Sequence, residues 1–367
     1  MGGEDVAVNN EIKFLKENYH VESLLIENTI NTNTAQKISF LSLSNYETNK
    51  KLEKKIQEIH PDIVYIHNTW FSAMLGVFNV LKKYENVQII VKVHNFRYDC
   101  INAVHYRDNG ICHDCNISSR YQGIKNKCYD NSAIKSTALT HYSKKYFSIL
   151  KNTNLKILAL TNFHKNYMVN LGINTQKIYV FENPISNIRE NSTEIKKAKT
   201  LIYGGRISKE KGVEEVIDSF LMSGLKDYDF EIYGDGPELE VLRKKYISAN
   251  RVKFKGFIEN KKIIEKIKTS QAVLLGTKMY EGQPTLITEA ILHKTLVLSP
   301  SLGGMMEFFD DDTFLYTSGD YLDLTDKINT IVNKKLVNKV VNNNFNYLNN
   351  KLSNINLSQK FQEIVND

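Results

Sequence analysis

The chain has 367 residues, of which 42% are hydrophobic and 24% charged, and its formal net charge is +7. That length suits two domains of ordinary size, and that composition suits a soluble globular protein. The positive charge is spread along a chain rich in Lys, Asn and Ile, with no block of ~5–6 like charges, which speaks against a nucleic-acid-binding protein.

No apolar run reaches the ~18 residues a membrane-spanning helix needs. The start, Met1-Gly2-Gly3-Glu4-Asp5, lacks the basic and apolar parts of a signal peptide. Val6 stands where a myristoylation motif needs Ser or Thr. A cytoplasmic protein is the expectation. Peripheral contact with the inner face of the cell membrane fits if the substrate is lipid-linked.

After Gly2-Gly3 the spacing of Val6, Ile12 and Leu15 predicts a helix. Val21–Ile26 reads as a strand, as does Ile63–Ile66 behind Pro61-Asp62, with a helix over 71–83 after it. Val87–Val93 is the next strand and ends at His94-Asn95. Ile157–Leu160 follows, then a helix through Met168 to Gly172, then Ile178–Phe181 leading to Asn183-Pro184. Strands alternating with helices predict a parallel sheet.

Residues 186–199 are polar and aperiodic and read as the linker. The pattern then restarts with strand Thr200–Tyr203, a turn at Gly204-Gly205-Arg206, and a helix with Val213, Val216, Ile217 and Phe220 on one face. Phe230–Tyr233 runs into the turn Gly234-Asp235-Gly236-Pro237. Val252–Phe254, Ala272–Leu275, Leu296–Leu298 and Phe314–Tyr316 complete a second sheet, and Leu357–Val365 reads as a last helix. The expected fold class is α/β, with two Rossmann-like domains facing across a cleft. The first domain covers 1–185 and the second 186–350, and a terminal helix over 351–367 could cross back to the first.

The stretch from Tyr280 to Leu292 carries two carboxylates, Glu281 and Glu289, around the loop Gly282-Gln283-Pro284-Thr285. Pro284 suits a first helical turn, where its missing N–H is not needed. The free N–H groups of that turn bind anions and hydroxyl oxygens. Two explanations fit: a ligand-holding cleft wall, or a helix start with two solvated glutamates. The turn at Gly204–Gly212 likewise combines close backbone with two cations, Arg206 and Lys211. A diphosphate needs that mixture, although basic residues at a helix start are often only solvated.

Taken together the order is specific: Gly-Gly-Arg, four residues, Lys211-Gly212, then Tyr-Gly-Asp-Gly-Pro at 233–237, Phe254 with Gly256-Phe257, then Glu281 and Glu289. Ser301-Leu302-Gly303-Gly304 with Glu307 follows. This resembles the GT-B retaining glycosyltransferases of family 4, of the capsule and O-antigen polysaccharide type, over nearly the whole chain. The resemblance implies that Arg206 and Lys211 hold the donor diphosphate. It implies that Glu281 lies by the donor sugar, with Gly205 and Gly282, Gln283, Pro284 and Thr285 against sugar or phosphate. Glu289 would bind the ribose, and Gly256 and Phe257 would lie near the base. His94 matches a family histidine near donor sugar and acceptor; a hydrogen-bonded core histidine is the other explanation. Gly2 and Gly3 stand where the family has a glycine loop beside the donor, usually preceded by a strand that this sequence does not show.

The implied reaction takes a UDP- or GDP-sugar to a glycan or lipid-linked acceptor. It needs no catalytic metal. Rival expectations are a GT-B epimerase and a sugar-nucleotide-binding protein without turnover.

Cys100, Cys112, Cys115 and Cys128 lie in one loop-like region. The two residues between Cys112 and Cys115 match a zinc knuckle, and the outer pair could close a structural zinc site. Free thiols and disulfides are the alternatives. Tyr98, Arg107 and Arg120 could then shape an acceptor pocket.

Overall fold

The computed structural model describes residues 3–28, 39, 41–70, 72–185 and 196–367. Gly2 and most of the polar linker lie outside them. The chain divides into two units. One is Glu4–His105 with Cys112–Glu182 and Phe361–Asp367, the amino-terminal unit. The other is Asn183–Lys360 with Tyr106–Ile111, the carboxy-terminal unit.

In the amino-terminal unit, strands β1 (Ile63–Ile66) and β2 (Gln88–Val93) begin the sheet. A two-residue hairpin, β3 (Tyr106–Arg107) with β4 (Gly110–Ile111), interrupts it and counts with the other unit. Strands β5 (Lys156–Ala159) and β6 (Ile178–Val180) complete it. The four strands pair in parallel in the order β1-β2-β5-β6. A parallel sheet is covered on both faces, so its strands are apolar runs. Val91, Val93, Ile157 and Leu158 are buried accordingly.

Two sequence expectations need correction here. Val21–Ile26 forms no strand, and Leu25 is 66% exposed. An apolar run becomes a strand only where a neighbour takes its backbone groups. Among the described residues β1 pairs with β2 alone. The helix expected over 71–83 is shorter, Val77–Leu81, and Met74 before it has a left-handed φ of 60°. The cysteine region, read as a loop, also leads into a long helix, Ala133–Asn152, whose Ser132 accepts from the Lys135 N–H.

Helix Gly3–Lys16 buries Ala7, Phe14 and Leu15 and, on the same face, Glu11. The Lys92 ammonium, in the middle of β2, donates to both Glu11 oxygens at 2.9 Å and to the Glu182 carbonyl at 3.2 Å. The Tyr65 hydroxyl donates to Glu11 at 2.6 Å. Both side chains of the ion pair are 0% exposed. Burial pulls the Lys92 ammonium down from its usual value, and Glu11 opposes that. The last helix, Asn354–Asn366, ends on this unit: Phe361 packs on Tyr65 and Phe181, and the Ile364 carbonyl accepts from Lys156.

The carboxy-terminal unit holds β7 (Ala198–Gly204), β8 (Asp229–Tyr233), β9 (Val252–Gly256), β10 (Ser270–Leu274), β11 (Leu296–Pro300) and β12 (Leu315–Tyr316). They form a six-stranded parallel sheet in the order β12-β11-β10-β7-β8-β9. Helix Val213–Met222 buries Val213, Val216, Ile217 and Phe220 on one face of it. Helix Thr285–Leu292 buries Ile287, Ala290 and Ile291 on the other. The Asn-rich tail segment belongs to helix Lys334–Lys351, where buried Asn344 accepts from the Asp310 and Asp311 N–H groups. Among the described residues no helix is long and apolar enough to cross a membrane.

Removing one partner of a buried ion pair strands the other charge. Glu11→Ala is therefore expected to cost about 3–5 kcal/mol, read as a lower urea midpoint. The double variant Glu11→Leu with Lys92→Met should recover most of that loss.

Candidate functional site

Strand order decides where a site can form. The chain runs from β7 to β8 to β9 in one direction and returns to β10 on the other side of β7. Loops leaving the carboxyl ends of β7 and β10 therefore diverge and open a crevice, the place where parallel α/β sheets bind ligands. Lys211 stands on the first loop and Glu281 on the second. The Lys211 ammonium donates to Glu281 Oε1 at 2.8 Å, with the two side chains 22% and 14% exposed.

The loops meet backbone to backbone. Gly212 has φ +60°, and a Cβ there would stand 2.0 Å from the Gly276 carbonyl oxygen. A Cβ on Gly234 would stand 1.8 Å from the Gly205 carbonyl oxygen. Only glycine allows either approach. Hydrogen bonds then lock the loops: Gly205 N–H to the Tyr233 carbonyl at 3.0 Å, Ile207 N–H to Asp235 at 2.8 Å, and Lys278 N–H to Glu210 at 2.8 Å. The buried Tyr203 hydroxyl donates to the Arg206 carbonyl at 2.7 Å. Burial, then Glu281 and Glu210, push that phenol far above its usual range, so it stays a neutral donor. The Arg206 side chain itself is exposed.

Pro284 sits one position earlier than the sequence suggests. It is the residue before helix Thr285–Leu292, with ψ 114°, and not in its first turn. It has no side chain able to cap, so the first-turn N–H groups stay available to an anion. Gln283 is buried with its amide turned inward. Its Oε1 accepts from the Asn183 N–H at 2.6 Å and its Nε2 donates to the Asn183 carbonyl at 3.1 Å. Its side chain therefore clamps the chain entering this unit, leaving backbone alone to meet a ligand. Glu289 accepts from the Asn260 amide at 3.2 Å. Burial raises its carboxyl above the usual range, and the Asn260 bond counters in part. Gly256 ends β9, and Phe257 beside it is 72% exposed, a free aromatic face.

Gly3 is the first residue of helix Gly3–Lys16, and Gly2 falls outside the described residues. His94 directly follows β2 in the amino-terminal unit, with its Nε2 3.1 Å from the Nδ1 of His67. Nothing in the linear pattern singles out His67, Asn260 or Lys278. Lys278 is buried against Glu215 and donates to Asn109 at 2.6 Å. A lysine just after an apolar strand was its only signal.

The four cysteines lie around the short helices Asp114–Ile117 and Gln122–Lys125, and none is in a disulfide. Among the described residues no three His, Cys, Asp or Glu side chains form a group that could hold a metal ion. Burial, then Cys100, hold the Cys115 thiol up at about 11, and burial raises Cys100 too. The expected structural zinc finds no support among the described residues. Tyr98 does not line a pocket: it is fully buried, with its hydroxyl 3.1 Å from His164 Nε2.

Residues 184–346 match the family profile described as "Glycosyl transferases group 1". An uncharacterized 41.2 kDa protein in the cps region of Klebsiella pneumoniae is 25% identical over 153 residues, 39% of this chain. That match spans 42% of the curated relative's own length. Anabaena HepE in complex with UDP-glucose superposes with a TM-score of 0.66 at 16% identity, over 100% of this chain and 96% of that one. A mutant of S. aureus TarM, in complex with Fondaparinux, alpha-GlcNAc-glycerol and UDP, gives 0.64 at 17% identity, over 86% and 58%. The lipopolysaccharide outer core galactosyltransferase WaaB gives 0.56 at 18% identity, over 90% and 81%. The fold is thus that of the GT-B glycosyltransferases, and residues 184–346 are similar to the group 1 glycosyl transferase profile.

Gly212→Ala places a methyl group against the Gly276 carbonyl at positive φ. It is expected to cost well over ~1 kcal/mol, seen as a lowered melting temperature.

Proposed function

We propose that this chain is a retaining glycosyltransferase that moves a sugar from a nucleotide-sugar donor to a glycan or lipid-linked acceptor of a surface polysaccharide. The observation that carries it is the Lys211–Glu281 pair at the strand reversal, beside a helix start without a side-chain cap. The group 1 match over 184–346 covers the same residues. Uridine diphosphate is the favoured carrier, since HepE and TarM were crystallised with UDP or UDP-glucose.

The chemistry then follows from charge. The bond between the anomeric carbon and the diphosphate oxygen breaks, leaving an oxocarbenium-like sugar and a diphosphate that has gained negative charge. Lys211, the Arg206 guanidinium and the first-turn N–H groups of helix Thr285–Leu292 stabilise that charge. Glu281, already fixed by Lys211, accepts from a hydroxyl of the transferred sugar. His94 carries over from the family as a group that touches the sugar. The acceptor hydroxyl attacks the face the diphosphate leaves, and its proton passes to the departing phosphate oxygen. That route needs no protein base and no metal. Glu289 accepts from the ribose hydroxyls, and the exposed Phe257 ring lies by the base.

Binding to the folded state alone raises stability by about 2.7 kcal/mol at a hundredfold excess over Kd. A melting-temperature rise with UDP or a UDP-sugar is expected, and no rise with any nucleotide in a folded sample would sink the assignment. Lys211→Ala should abolish release of UDP from a UDP-sugar. Turnover that survives this change undiminished would mean the site is elsewhere; binding without turnover in the unaltered chain would favour a non-catalytic protein.

Glu289 supplies a pH test. Its raised value means it takes a proton in a window above 4.5, the ordinary glutamate value. A ribose hydroxyl loses its acceptor as pH falls through that window, so UDP affinity is constant above it and weakens within it. Ligand-free stability moves the other way, because the cost of burying the charge is relieved as the proton binds. Calorimetric titration between about pH 4.5 and 7.5 reads this, and Glu289→Gln should flatten the curve.

A further inference from the structure

His94 does not stand alone in the amino-terminal unit. Its Nε2 lies 3.1 Å from the Nδ1 of His67, a contact between two ring nitrogens. The rings stack with centroids 5.4 Å apart. Two nitrogens at that distance require one proton between them, since two protons would clash and none would leave two lone pairs opposed. The only question is which ring owns it.

Glu11 answers it. Its Oε2 lies 3.8 Å from the same Nδ1 of His67. The carboxylate cannot turn away, because Lys92 holds both oxygens and the Tyr65 hydroxyl a third contact. A fixed negative charge beside His67 Nδ1 favours the proton there. His94 Nε2 then accepts, and a neutral His94 must carry its own proton on Nδ1. We propose that His67, oriented by Glu11, is a positioning residue that holds His94 as the neutral Nδ1–H tautomer, so that His94 meets a ligand as a hydrogen-bond donor and never as a base.

The charged groups around the pair agree. Burial pulls His94 well below the usual imidazole value, and Lys92 on β2, His67 itself and His164 on helix Asn162–Asn170 pull it further. Burial lowers His67 as well, with Glu11 opposing and Lys92 assisting. Both rings are therefore neutral at neutral pH. A single neutral donor suits a sugar hydroxyl or ring oxygen, and it suits a reaction whose proton leaves on the departing phosphate. That last step rests on the sugar-transfer proposal; the tautomer does not.

The test reads the proton directly. Full-length protein with ¹⁵N-labelled histidine rings is followed by NMR from pH 5 to 8 without substrate, pH values set within the stable range of most domains. The expected His94 spectrum has Nδ1 protonated and Nε2 bare throughout. His67→Phe should release His94 into a mixture of tautomers, while His67→Gln, whose amide can donate to Nε2, should keep the Nδ1–H form. Transfer from a UDP-sugar should fall about 10–100-fold in kcat in the Phe variant, with KM little changed and partial rescue in the Gln variant. An Nε2–H form in the unaltered protein, or a His94 spectrum indifferent to His67→Phe, overturns the proposal. If the Phe variant does not fold, the unaltered and Gln spectra still decide. Spectra as expected with no transfer activity would leave the tautomer intact and count against sugar transfer alone.

Discussion

The carboxy-terminal unit depends on a steric constraint between backbones. The loops after β7, β8 and β10 approach until carbonyl oxygens sit where side chains would otherwise be. Gly212 against Gly276, and Gly234 against Gly205, leave no room for a Cβ. What this contact achieves is position. It brings the Lys211 loop and the Glu281 loop, separated by 70 residues, to a 2.8 Å hydrogen bond. The strand reversal between β7 and β10 supplies the crevice, and the glycines let its walls close.

Around that contact, polar groups that look ligand-facing in a linear reading divide into two kinds. Gln283, inside the motif, spends its amide on the Asn183 backbone and so fixes where the chain enters the unit. Among the described residues Lys211, Glu281 and Glu289 keep partial exposure and one side-chain hydrogen-bond partner each. Buried side chains hold the loops, and those with partial exposure stay accessible to a ligand. The amino-terminal unit repeats this division. Lys92, Glu11 and Tyr65 form a buried, satisfied network, and the His67–His94 pair lies at its edge.

Much of the carboxy-terminal unit was legible in the sequence. Its strands are short apolar runs, its turns are glycine-rich, and helix Val213–Met222 shows its buried face as a 3.6-residue period. Less of the amino-terminal unit was legible. Val21–Ile26 has the composition of a strand, but strand formation needs a partner that composition does not specify. The spacing of Cys112 and Cys115 is that of a zinc knuckle, yet among the described residues no metal-holding group of side chains forms. Spacing constrains two ligands and says little about four.

The α/β class, the glycine-bearing loops and the cations and carboxylates they carry can be read from residue order alone. These are local properties, set by side-chain periodicity and by the few residues that tolerate tight turns. Which of those groups meet depends on how the sheets and helices pack. Lys211 with Glu281, Glu289 with Asn260, and His94 with His67 are pairs between distant segments, joined by sheet order and packing. For Glu289, His94 and His67 protonation is likewise a tertiary property, because burial and neighbouring charges shift each group from its ordinary value.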